Sequence, residues 1–115
     1  MPLPRRLDAR ERERFTHVPR QDLDRARLAT VPVLTPGIAA ITLGRWILLR
    51  RGHEHDDGLI AHELVHVRQW RELGALSFLA RYVGAYAGAR RRGLRHQDAY
   101  EAIPLEVEAR ALAGR

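Results

Sequence analysis

The 115-residue chain contains no cysteine, no lysine and no asparagine. Without thiols there is no disulfide, zinc ribbon or thiolate site, so a metal here would have to be held by histidine and carboxylate. All 20 basic residues are arginine, a bias that a GC-rich coding sequence explains. Long apolar runs are also missing. The longest stretch without a charge, residues 28–44, contains Pro32, Pro36 and Gly37 and is a poor membrane span. The charged N-terminus is not followed by the apolar segment of a secretory signal. The expectation is a soluble, cytoplasmic protein with no transmembrane segment. The net charge of +6 attracts anions in general. No helix-turn-helix, zinc-finger or aromatic-platform pattern accompanies it, so nucleic acid is not an expected partner. Hydrophobic residues make up 45% of the chain, enough for one folded domain with a modest core.

What the sequence does contain is the run His62-Glu63-Leu64-Val65-His66, an H-E-x-x-H pattern. On a helix, residues four apart share a face, so the two imidazoles project side by side and can reach one zinc ion at about 2.0–2.1 Å. Glu63 is turned by about 100° and reaches a water on the metal rather than the metal itself. Asp57 is a candidate N-cap for this helix and Gly74 a candidate stop. Leu59, Leu64, Val65, Val67, Trp70 and Leu73 give it a largely apolar surface. Buried imidazoles and a buried carboxylate need partners, and a metal supplies one to all three.

Around this helix the chain divides at residue 27. Residues 1–27 alternate Arg with Asp and Glu, and are expected as a charged N-terminal arm or solvated helix. Residues 28–115 hold the domain proper. Residues 28–34, 38–43 and 46–49 read as strands, the last two as a hairpin around Gly44-Arg45. His53, Glu54 and His55 follow in a loop, where exposed histidines are common, and a second metal site is not expected there. Residues 75–92 read as a helix with Ser77 as N-cap. Its Leu76, Leu79, Ala80, Val83 and Ala87 follow the helical period. Ala80, Gly84 and Gly88 form a small-residue stripe expected to pack on the H-E-x-x-H helix, with Tyr82 and Tyr86 beside it as packing residues. Arg90, Arg91, Arg92 and Arg95 end that helix, where cations suit the helix dipole.

Pro104 opens the last helix, where its missing N–H costs nothing. It carries Glu106 and Glu108, the best candidates for the third protein ligand of a catalytic zinc. The two carboxylates are about 200° apart around a helix. One of them should face the histidines, and periodicity alone does not choose.

With these residues in place the chain resembles the gluzincin zinc metallopeptidases, the thermolysin-like class, and most closely their smallest members, the minigluzincins. It also resembles related bacterial domains, some associated with contractile injection systems. The resemblance rests on the H-E-x-x-H run through Gln69, on the hairpin Thr42-Leu43-Gly44-Arg45-Trp46-Ile47, and on Pro104-Leu105-Glu106-Val107-Glu108-Ala109. It spans roughly residues 38–113. The resemblance implies an α+β, zincin-like fold. Its parts would be a short antiparallel sheet, the H-E-x-x-H helix, a packing helix and a C-terminal third-ligand helix. It favours Glu106 over Glu108 as third ligand, with Ala109 as the small residue that follows. Arg110 stands where the family often places a carboxylate that orients a zinc histidine, a task arginine cannot perform.

The function this implies is zinc-dependent hydrolysis of a peptide or protein substrate. Zn²⁺ would be held by His62, His66 and Glu106, and Glu63 would act as general base. The alternative is a non-catalytic binding or assembly module on the same scaffold. The chain's small size, its basic surface and Arg110 motivate it.

Overall fold

In the computed structural model, which describes residues 4–114, the chain is α+β: a three-stranded mixed sheet with helices against one face. The elements are α1 (Ala9–Arg14), α2 (Arg20–Arg25), β1 (Arg27–Val31), β2 (Ala40–Leu43), β3 (Trp46–Arg50), α3 (Asp57–Leu73), α4 (Ala75–Arg91), α5 (His96–Glu101) and α6 (Pro104–Ala113). No helix among the described residues is long and apolar enough to cross a membrane.

The sheet order is β1-β3-β2. β2 and β3 form the expected hairpin, with Thr42 opposite Ile47 and Leu43 opposite Trp46. Gly44 takes φ 65°, the positive value that a tight two-residue hairpin turn needs at its first position. The expected all-antiparallel sheet is corrected at β1, which runs parallel to β3 with Leu28 opposite Ile47. The cause is the connection. Pro32 and the Thr35-Pro36-Gly37 turn make residues 32–39 too long for a hairpin, so β1 lies on the far side of β3 rather than against β2. The outer edge of β1 is closed by Arg5, whose N–H and carbonyl bond the backbone of Leu28 at 2.8 Å each. β2 forms the opposite edge of the sheet.

Alternation along the strands sends Leu28, Thr42, Ile47 and Leu49 to the face that α3 covers. Ile41, Leu43 and Trp46 point the other way and are exposed. α3 supplies Ile60, Leu64, Val65 and Val67 to the core. Its N-cap is Asp56, whose carboxylate accepts from the Leu59 N–H at 3.2 Å, one residue earlier than the sequence pattern suggested. Gly74 ends it at φ 79° and also stands at the N-cap of α4, so Ser77 caps nothing.

Residues 1–27, expected as a charged arm or helix, are helical at α1 and α2; residues 1–3 lie outside the described part. Leu7, Phe15, Val18, Leu23 and Ala26 from this segment belong to the same core cluster as the sheet and α3. Most of the charges between them are paired. Glu11 is fully buried, closes a capping box with Asp8 and accepts both guanidinium nitrogens of Arg5 at 2.7 and 3.0 Å. Polar contacts fasten the segment to α3: Arg10 and Arg14 to Asp57, the His17 ring to the Ala61 carbonyl at 2.8 Å, and Arg71 to buried Asp22 at 2.6 and 2.9 Å.

The small-residue stripe of α4 does not pack on α3. Ala80 and Gly84 are exposed, and a Cβ added at Gly84 would meet nothing within 4 Å. α4 instead turns Phe78 and Ala89 inward, with Tyr82 half-buried, and leaves Leu76, Leu79 and Val83 exposed. Aromatic stacking explains the choice. The Phe78 ring lies 4.3 Å from Trp70 and 5.6 Å from Tyr82, near-parallel to both.

Candidate metal centre

Four side chains from two helices meet at one end of the sheet. His62, Glu63 and His66 come from α3, and their ligand atoms all lie within 4.8 Å of one another, a group that could hold a metal ion. Glu106 comes from the first turn of α6. Its Oε1 is 2.9 Å from His62 Nε2 and its Oε2 is 3.1 Å from His66 Nε2. Glu108 turns away, accepting from Gln69 Nε2 at 2.9 Å and pairing with Arg68. Ala109, fully buried, lets α6 approach α3 closely.

Each of three site residues has its own holder. Thr42 Oγ1, on β2, donates to Glu63 Oε2 at 3.1 Å. Gln69 Oε1 lies 2.7 Å from His66 Nδ1. The Tyr82 hydroxyl donates to Glu106 Oε2 at 2.6 Å. Thr42 stood out in the sequence only as part of the hairpin, and Tyr82 only as a packing residue. Gln69 carries a legible signal: it lies three positions after His66, on the same buried helix face. Arg110 donates to the Glu101 carbonyl and offers no acceptor to a ring N–H. The loop residues His53, Glu54 and His55 stay apart from this group. His53 faces Arg50 and Asp56, and Glu54 accepts from the Gly52 N–H.

Burial and close charges shift the titration of the site's groups. Burial pushes the Glu63 carboxyl above its ordinary range, and the neighbouring His66 and His62 only partly offset this. Burial works to lower His66, but Glu106, Glu63 and Gln69 together outweigh it and hold the ring above its usual value. Burial likewise works to raise Glu106, yet the hydrogen bond with His62 and the close approach of the His66 ring hold it below the usual carboxylate range. Tyr82 is pushed up first by burial and then by its hydrogen bond to Glu106, and Tyr100 first by burial and then by the Glu106 charge.

His66 Nε2 decides whether a metal fits. It is buried and has no hydrogen-bond partner among the described residues, since its 3.1 Å approach to Glu106 lacks hydrogen-bond geometry. A buried ring nitrogen left in this state is costly, and a cation shared with His62 and Glu106 relieves it. Ligands about 2.0–2.1 Å from a tetrahedral zinc lie about 3.3 Å apart, a few tenths beyond the two separations seen here. The donor set therefore fits a divalent ion. The group opens into a cleft of about 720 Å³, with Ile38 and Ala40 at the sheet edge on one side and Tyr100 and Arg110 on the other.

Comparison with known families places the helix and its surroundings. Residues 6–74 match the model of the eCIS core domain, more than half of the chain. The chain belongs to the eCIS core domain family. No curated protein and no solved structure matches it. The eCIS core match takes in α1, α2, the sheet and all of α3, hence His62, Glu63, His66, Thr42 and Gln69. Glu106, Tyr82 and Tyr100 lie beyond it. The Glu106 carboxylate beside the histidines is thus contributed from outside the matched region.

Proposed function

We propose that this eCIS core domain chain is a minimal zinc-dependent hydrolase of peptide bonds, zincin-like in its site. The observation that carries the reading is the convergence of His62, His66 and Glu106, with a buried, unpartnered Nε2 at its centre and Glu63 beside it. His62, His66 and Glu106 would hold the ion. Bound zinc supplies Lewis-acid polarisation of a carbonyl and a more acidic water. Glu63 takes the proton from the attacking water and returns it to the departing amine. Burial favours this work, because it raises the Glu63 carboxyl and so strengthens the carboxylate as a proton acceptor. Thr42 fixes one oxygen of that carboxylate from the edge strand. The same strand, β2, offers its outer backbone groups to an extended peptide, which main-chain hydrogen bonds would lay along the cleft.

The test has two steps. The purified chain is assayed for zinc beside His62→Ala, and one zinc per chain, lost in the variant, is expected. Wild type and Glu63→Gln are then given a mixed peptide library. Glu63→Gln should keep its zinc and lose cleavage by about 10²-fold or more. Equal turnover in the two proteins sinks the mechanism, and failure of the wild type to take up added zinc sinks the site.

A second reading is favoured by one further observation. The matched family is described as an eCIS core domain rather than as a hydrolase, and α4 presents an exposed apolar face. On this reading the chain is a binding or assembly module that uses the same ion structurally. Zinc-loaded protein that leaves every peptide intact, and that loses folding when the zinc is chelated, supports the second reading over the first.

A further inference from the structure

We infer that Gln69 is a positioning residue: it holds His66 in the tautomer protonated at Nδ1 and so leaves the Nε2 lone pair for the ion that the site would bind. The inference takes its purpose from the metal-centre reading above, but its geometry stands on hydrogen bonds alone. Gln69 is 2% exposed, so both ends of its amide must find partners inside the protein. One end faces the Leu105 carbonyl at 3.0 Å and Glu108 Oε1 at 2.9 Å. A carbonyl and a carboxylate only accept, so that end is the NH₂. The reverse amide would set oxygen against oxygen twice. The remaining end, Oε1, therefore faces His66 Nδ1 at 2.7 Å, and an amide oxygen only accepts. Nδ1 must carry the proton. A neutral imidazole has a single N–H, so Nε2 is left as a lone pair. That nitrogen is the buried atom without a hydrogen-bond partner.

The same amide does a second job. Leu105 immediately precedes Glu106, so the bond to its carbonyl registers α6 against α3 beside the residue that brings a carboxylate to both histidines. Glu108 braces the outer side of that contact together with Arg68. One side chain thus orients a ligand on its own helix and locates a ligand on the facing one. It belongs to the region matched by the eCIS core domain, while the carboxylate it locates does not.

The test reads the ring proton directly. Metal-free, ¹⁵N-labelled full-length protein is examined by long-range ¹H–¹⁵N correlation at alkaline pH, where the ring is neutral, with His66→Ala for assignment. Wild type should show the Nδ1-protonated pattern for His66, with a slowly exchanging Nδ1 proton. Gln69→Ala should lose that pattern and bind added zinc about 10–100-fold more weakly. Glu108→Ala loosens the outer side of the same contact but spares the acceptor. It should keep the pattern and stay within threefold of wild type in zinc affinity. A wild-type ring protonated at Nε2 overturns the inference, whatever the variants do. So does an unchanged pattern in Gln69→Ala. If the pattern is present and lost as expected but no variant or wild type binds zinc, the positioning role holds and the metal reading falls.

Discussion

The segment before β1 and the helix α4 treat their apolar residues in opposite ways. The first is crowded with charge, and its few apolar side chains are nearly all in the core: Leu7, Phe15, Val18 and Leu23 are each at most 6% exposed. α4 has the better apolar periodicity, yet Leu76 is 87% exposed and Val83 59%. The difference lies in what each segment can pair. Around α1 and α2, arginines meet carboxylates: Arg5 with Glu11, Arg10 with Asp57, Arg71 with Asp22. These pairs let charged residues line the rim of a packed interface while the apolar ones fill its middle. α4 must instead present Tyr82 to Glu106 and Phe78 to Trp70. That requirement fixes its rotation and turns Leu76, Leu79 and Val83 outward. Burial followed the polar partner, not the hydrophobic count.

The contrast is easiest to break at Phe15. If the N-terminal segment is part of the core, Phe15→Ala removes a buried ring and should cost about 3–5 kcal/mol. A drop of that size in unfolding free energy, measured by denaturant titration, is expected. A loss below about 1 kcal/mol would return the segment to the status of a dispensable arm. Arg71→Ala probes the pairing itself. It leaves the Asp22 carboxylate fully buried with only Arg25 nearby, at 3.7 Å. Removing one partner of a buried pair costs about 3–5 kcal/mol, and the quarter-exposed arginine lowers the expectation to about 2 kcal/mol. Arg71→Ala in an Asp22→Asn background should cost much less. Equal losses in both backgrounds would show that the ion pair contributes nothing.

Much of this was legible in the sequence, and the rest was hidden for physical reasons. The H-E-x-x-H helix, the Gly44-Arg45 hairpin and the helix opened by Pro104 are local, set by capping, turn chemistry and period. The direction of β1 depends on which side of β3 the chain passes, and no local pattern encodes that. Glu106 and Glu108 were equivalent by period. The resemblance favours Glu106, and the approach of α6 to α3 over Ala109, with Glu108 drawn to Gln69 and Arg68, separates the two in the structure. Thr42 and Tyr82 were unreadable as site residues because each acts across a long sequence separation through a single hydroxyl. The α4 stripe misled because spacing shows that a helix has an apolar face without showing that anything covers it.

The smallest effect tests that last point. Leu76→Ser and Val83→Ser, made together, remove two large apolar side chains from α4. Were they packed, the pair would cost several kcal/mol. Both are exposed, and neither belongs to the core cluster, so the expected change in unfolding free energy is within about 0.5 kcal/mol for each substitution. Helix propensity predicts part of even that, since serine is a weaker helix former than leucine. Unfolding followed at several protein concentrations makes the comparison sharper. If the stripe is bare in solution, wild type and double variant unfold alike at every concentration. If wild type grows more stable with concentration and the double variant does not, the stripe is covered by self-association. The contrast between the two segments would then describe the isolated chain rather than the assembled protein.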